Sequence, residues 1–159
     1  RRYYDPDRLD VLSQLTWPVI GYTSISSPFG PRIHPIKKVS SFHYGIDIPA
    51  PHGRPVKAIL PGTVTSSGWM GGYGNTVILD HGDGLVSLYA HLSKISVRSG
   101  DHVAGNTEIG QIGTTGLSTG NHLHFEIRIN GSYTDPVAHY KLKEMNIRAE
   151  QGAGGEENY

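Results

Sequence analysis

At 159 residues the chain suits one domain with tails and is long enough to bury a proper core. Its 14 basic and 14 acidic residues cancel, which argues against a broad electrostatic grip on nucleic acid or an anionic membrane. Cysteine is absent, so disulfides, thiolate nucleophiles and sulfur-ligated zinc are excluded, and any transition-metal site must come from His, Asp or Glu. No apolar run approaches the length of a membrane span, so this segment is not expected to insert into a bilayer. The chain opens on Arg without a signal-peptide pattern and is expected to be a portion of a longer protein.

The first element is a short helix expected within residues 5–15, "DPDRLDVLSQL", with Leu9, Leu12 and Leu15 along one face. Next comes "FGPRIHP", where Pro31 and Pro35 hold His34 in a rigid, extended stretch that says little on its own. Residues 55–60, 62–69, 75–81, 85–91 and 122–129 then read as short strands, rich in β-branched residues and punctuated by glycine. Gly82-Asp83-Gly84 supplies the turn of a hairpin between two of them. Residues 97–116 carry a glycine every few positions around Val103, Ile109 and Ile112, a pattern of short strands folding over one another. A second helix is expected after Thr134 or Asp135 as N-cap, with Pro136 in its first turn. The tail from residue 143 to 159 has little to bury and reads as disordered. The expected architecture is therefore all-β and mainly antiparallel. Residues 1–16 form an N-terminal segment, and a single sheet-core domain with short terminal helices and a loop-walled groove spans 17–142.

Histidines cluster within this frame. In "NHLHFEI", period-two alternation puts His122, His124 and Glu126 on one face and the apolar Leu123, Phe125 and Ile127 on the other. The two imidazoles could be solvated, could both bind a metal, or could divide into one ligand and one base. Glu126 could be an outer partner of His124 or a solvated surface carboxylate. In "SFHYGIDI", His43 and Asp47 would lie roughly 13 Å apart on a straight strand. They can share an ion only if the backbone bends between them, and Gly45 is the obvious place. Taken alone, the pair reads more readily as a turn cap and a loop carboxylate. His91, at the end of "LVSLYAH", would ordinarily be a hydrogen-bonded rim residue. Together these residues supply the parts of a hydrolytic zinc site: neutral imidazoles, a carboxylate and spare imidazoles for proton transfer. Such a site uses three protein ligands and leaves a fourth position to water.

"HYGIDI", "YAHLS" and "STGNHLHFEI", in that order and with "GYGNTVILDHG" between the first two, resemble the lysostaphin-type (LytM-like) zinc metalloendopeptidases. The resemblance covers about residues 28–136. Each short motif is weak alone, but three separated blocks in a fixed order are specific. The resemblance implies an antiparallel β-sheet core and a narrow groove, with His43, Asp47 and His124 as zinc ligands. It makes His91 and His122 the catalytic imidazoles, and it offers His34 as a contact to substrate or transition state. It further implies peptidoglycan peptides as substrate, an extracytoplasmic location and scope for a regulatory protein partner. Asn121 stands where such enzymes commonly carry proline, a change that bears on loop stiffness more than on chemistry. Two rivals remain at this point: a non-catalytic scaffold or activator with the same fold, and a small biotinyl-like carrier. The carrier leaves the histidines unexplained and offers no lysine in a convincing carrier turn.

Overall fold

The structure, a computed structural model, describes residues 11, 13–33, 40–118 and 120–145. The His34 expectation, most of the expected N-terminal helix and residues 146–159 lie outside these residues. Among the described residues there are eleven strands: β1 (Gly30–Ile33), β2 (Ser40–His43), β3 (Ile46–Pro49), β4 (Pro55–Lys57), β5 (Gly62–Trp69), β6 (Asn75–Gly82), β7 (Leu85–Ile95), β8 (His102–Val103), β9 (Glu108–Ile112), β10 (His122–Ile129) and β11 (Ser132–Thr134). All pairings are antiparallel. The main sheet runs β11-β10-β7-β6-β5-β8; β3 pairs with β10, β9 pairs with β4 and β7, and β1-β2 form a separate ribbon. The mainly antiparallel β architecture matches the strand reading of the sequence.

The hairpin between β6 and β7 turns on Asp83 and Gly84, both at positive φ as a two-residue type I′ turn requires. β4 is shorter than its apolar run suggested. Its register with β9 shifts between Val56 and Lys57, and Ile59 and Leu60 enter the core outside any strand. Residues 136–145 are helical, and the Asp135 carboxylate caps them by accepting the Val137 N–H at 3.0 Å.

One face of β10 anchors the core. Leu123, Phe125 and Ile127 are buried, and the cluster around them includes Ile46, Ile48, Leu79, Tyr89, Leu92, Ile109 and Ile112. Leu15 and Val19 belong to the same cluster. Trp17 packs edge-on against Phe125 and Tyr140, and Tyr140 and Lys143 of the C-terminal helix donate to the carbonyls of Thr16 and Leu15. The opposite face of β10, with His122, His124 and Glu126, is thereby turned towards the loops.

Candidate metal centre and groove

Three backbone features bring the histidine blocks together. First, β3 pairs with β10 in a register that sets Asp47 directly opposite His124, so the two side chains share a face. Second, the chain bends between β2 and β3. A Cβ at Gly45 would stand 2.3 Å from the Phe125 carbonyl oxygen, so only glycine permits β10 to pass this close. That bend brings His43 Nε2 to 3.2 Å from Asp47 Oδ1, although the residues are four apart in sequence. Third, β7 carries a bulge. Asn75 pairs with Leu92 and Val77 with Tyr89, so Ala90 and His91 together oppose Thr76. Regular alternation would put His91 on the core side with Ser87 and Tyr89. Its φ of 62° turns the imidazole out towards His122, with ring centroids 5.0 Å apart.

His43 Nε2, Asp47 Oδ1 and His124 Nδ1 lie 3.1–3.2 Å from one another. A tetrahedral ion with ligands about 2.0–2.1 Å away would space them about 3.3–3.4 Å apart. Outer partners fix the tautomers. The Nδ1–H of His43 donates to the Pro28 carbonyl at 2.9 Å, which leaves a lone pair on Nε2. The Nε2–H of His124 donates to Glu126 Oε2 at 2.7 Å, which leaves one on Nδ1. With both imidazoles neutral, three lone pairs therefore face one another, an arrangement that asks for a cation. The donor set, two imidazoles and a carboxylate, is one that zinc accepts. Among the described residues this is the one group of His, Asp and Glu whose ligand atoms converge closely enough to hold an ion.

Charge in the cluster is arranged accordingly. Burial alone would raise the Asp47 pKa, but the imidazoles of His124 and His43 more than reverse this and hold the carboxyl below its usual range. Burial alone would lower that of His124, yet Asp47 and Glu126 prevail and raise it. Without a metal, the cluster favours a proton where a cation belongs.

Glu126 is fully buried, not solvated. Beyond His124, it accepts from Tyr73 Oη at 2.6 Å and from Nε and Nη2 of Arg128 at 2.9 and 2.7 Å. Burial opposes its ionisation, but His124 first, then Tyr73 and Arg128, outweigh it and keep the pKa low. Burial and the neighbouring Glu126 raise the Tyr73 pKa, so this phenol remains a donor.

The other two imidazoles face the same cavity, which has a volume of about 530 Å³. His91 Nδ1–H donates to the Thr115 carbonyl at 2.7 Å, and His122 Nδ1–H to the Gly120 carbonyl at 2.8 Å. Each thus presents Nε2 to the cavity as an acceptor, and that of His122 is 3.7 Å from Asp47 Oδ1. Burial lowers the His91 pKa, and His122 and His124 add to the effect. Five of the six residues singled out in the sequence are brought together here, and His34 is outside the described residues. The structure adds Tyr73, Arg128 and the carbonyls of Pro28 and Thr115. Of these only Arg128 left a signal: it extends the alternation His122, His124, Glu126 by one more step.

The family described as Peptidase family M23 matches residues 41–136 of the sequence, a stretch that contains all five histidine and aspartate positions. The chain belongs to this family. It is 52% identical over 117 residues to the DD-carboxypeptidase/endopeptidase Mpg of Neisseria meningitidis, which covers 74% of the chain and 27% of that protein. The chain thus spans about a quarter of the length of that curated relative. A zinc-containing peptidase from Vibrio cholerae superposes with a TM-score of 0.71 at 35% identity, over 75% of this chain and 37% of the other. The catalytic domain of lysostaphin from Staphylococcus simulans gives 0.67 at 32% identity, over 84% and 98%. An M23 metallopeptidase domain is thus the setting in which the histidine cluster has to be understood.

Proposed function

We propose that this domain is a zinc-dependent endopeptidase that hydrolyses peptide cross-links or stem peptides of bacterial peptidoglycan, outside the cytoplasm. The observation that carries the reading is the convergence of His43 Nε2, Asp47 Oδ1 and His124 Nδ1 in a groove that two further imidazoles also line. Relatives named as a DD-carboxypeptidase/endopeptidase, as peptidoglycan DD-endopeptidases and as lysostaphin support the substrate class.

In this reading His43, Asp47 and His124 hold the ion. Zinc, when bound, supplies a Lewis acid that polarises a carbonyl and makes water acidic. Everything else falls to the chain. Glu126 orients His124 and is itself fixed by Tyr73 and Arg128. His91 and His122 take up the proton of the attacking water and return it to the leaving amine, since each offers an unprotonated Nε2 to the cavity. The burial that lowers the His91 pKa keeps that ring neutral, hence competent as a base, at physiological pH. With no HExxH glutamate in the sequence, an imidazole is the natural base.

The scaffold or activator reading is not favoured, because no position of the metal cluster or the imidazole pair is lost. Incubating the purified protein with peptidoglycan, with and without a chelator, tests the proposal. New peptide termini that vanish with the chelator and return with zinc are expected. Intact peptidoglycan with the zinc-loaded protein would reject the proposal.

A further inference from the structure

The residues lining the cavity over the metal cluster include Gly72 and Leu117, the latter 86% exposed. They also include Arg32, the only Lys or Arg among the described residues that line the cavity. Its position follows from register. In the β1-β2 ribbon Gly30 is opposite His43 and Arg32 opposite Ser41, so period-two alternation puts Arg32 on the face that carries His43. The guanidinium is tied to the cluster through one residue. Nη1 donates to Ser27 Oγ at 2.6 Å, and that oxygen lies 3.3 Å from His43 Nδ1. Ser27 is itself bridged to Asp47, whose N–H donates to the Ser27 carbonyl at 3.0 Å.

A guanidinium has five N–H donors in a planar fork. Among the described residues, the bond to Ser27 is the only hydrogen bond of the Arg32 guanidinium, and no carboxylate pairs with it. The two acids nearby are committed elsewhere, Asp47 to the imidazoles and Glu126 to His124, Tyr73 and Arg128. Arg32 therefore presents a permanent positive charge with a fork of donors to whatever occupies the groove.

We infer that Arg32 is a specificity-determining residue that binds a free α-carboxylate on the residue supplying the scissile nitrogen. The inference rests on the peptidase reading above. Chemistry selects that carboxylate: in a scissile amide made through the α-carboxyl of the acyl-side residue that carboxyl is consumed, so a free α-carboxylate next to the bond belongs to the amine side. Arginine matches a carboxylate with two parallel N–H···O bonds, which a lysine cannot do. The substrate class is then a cross-link or peptide end whose amine-side residue keeps an unamidated carboxyl. The interior of a glycyl bridge carries no such group.

Two synthetic peptides test this. They are identical except that the amine-side residue carries a carboxylate in one and a carboxamide in the other. For the zinc-loaded wild type, amidation should lower kcat/KM on the order of 10- to 100-fold, mostly through KM. Arg32→Gln should lose the same factor on the carboxylate peptide and become indifferent to amidation, with zinc content unchanged. Arg32→Lys should recover part of the preference. Calorimetric binding of the carboxylate-bearing product should weaken in parallel in Arg32→Gln. Equal cleavage of both peptides by the wild type, or a full preference retained by Arg32→Gln, would overturn the inference and leave the peptidase reading standing. Cleavage of neither peptide by the wild type would overturn both.

Discussion

Two histidine clusters sit on the same sheet, and they are built on opposite principles. Around His81, both ring nitrogens have hydrogen-bonding partners. Its Nδ1–H donates to the Pro61 carbonyl at 2.8 Å, and its Nε2 lies 2.7 Å from Ser87 Oγ. Ser87 Oγ lies 2.7 Å from Tyr89 Oη, which accepts the Ile59 N–H at 3.1 Å. Around His43 and His124 the outer nitrogens are just as firmly held, but the inner ones face each other and Asp47 with lone pairs only. A buried histidine with complementary partners on both nitrogens is structural. One whose second nitrogen meets only other acceptors is waiting for a cation.

Substitutions can break this contrast. The largest effect is expected from His124→Ala, which removes a ligand and strips Glu126 of a buried partner; bound zinc and hydrolysis should both be lost. His122→Ala should lower kcat on the order of 10²- to 10⁴-fold while zinc content, read by atomic absorption, stays at the wild-type level. Loss of zinc in both variants, or wild-type activity in either, would sink this division of roles. Glu126→Gln should weaken zinc affinity or activity about 10- to 100-fold, because it loosens the orientation of His124 without touching the ion. Smallest for catalysis is His81→Ala. It should cost about 1–3 kcal/mol of stability in denaturant melts and leave zinc binding and kcat alone.

The clusters should also titrate in opposite directions. Burial lowers the His81 pKa below 6.5, against smaller opposing effects of the Pro61 carbonyl and Asp80. The unfolded chain then binds more protons between the two values. The stability that His81 contributes is complete above pH 6.5 and is lost as the pH falls through the folded-state value. For His124, whose pKa is raised above 6.5, the contribution in chelated protein is complete below 6.5 and is lost as the pH rises through the folded-state value. Zinc must displace that proton, so its affinity should weaken in acid and its uptake should release protons. Melts of chelated wild type and His81→Ala between pH 5 and 8, with zinc titrations alongside, would show both signs.

Much of the frame was legible from residue order. β5 and β10 occupy residues 62–69 and 122–129, as their β-branched, glycine-punctuated runs indicated, and the Asp83-Gly84 turn lies where glycine and aspartate placed it. The bend at Gly45 was foreseeable, because His43 and Asp47 could approach in no other way. The orientation of His91 was not. Alternation assigns it to the core side of β7, and only a bulge opposite Thr76 redirects it, a feature of strand pairing that no local pattern announces. Tyr73 was equally hidden. It reaches Glu126 from a short 3₁₀ turn (Gly71–Tyr73), and the chain next to it packs against a distant loop, where a Cβ on Gly74 would stand 2.5 Å from the Thr115 backbone. Such contacts join residues far apart in sequence, which is where period and propensity carry no information.

The central claim is that three convergent lone pairs hold the ion and leave two imidazoles free. Anomalous diffraction at the zinc edge from zinc-loaded crystals tests it most directly. The account predicts one strong peak about 2.0–2.2 Å from His43 Nε2, Asp47 Oδ1 and His124 Nδ1, with His91 and His122 uncoordinated. A peak bonded to His122, or at the His81 cluster instead, would contradict it.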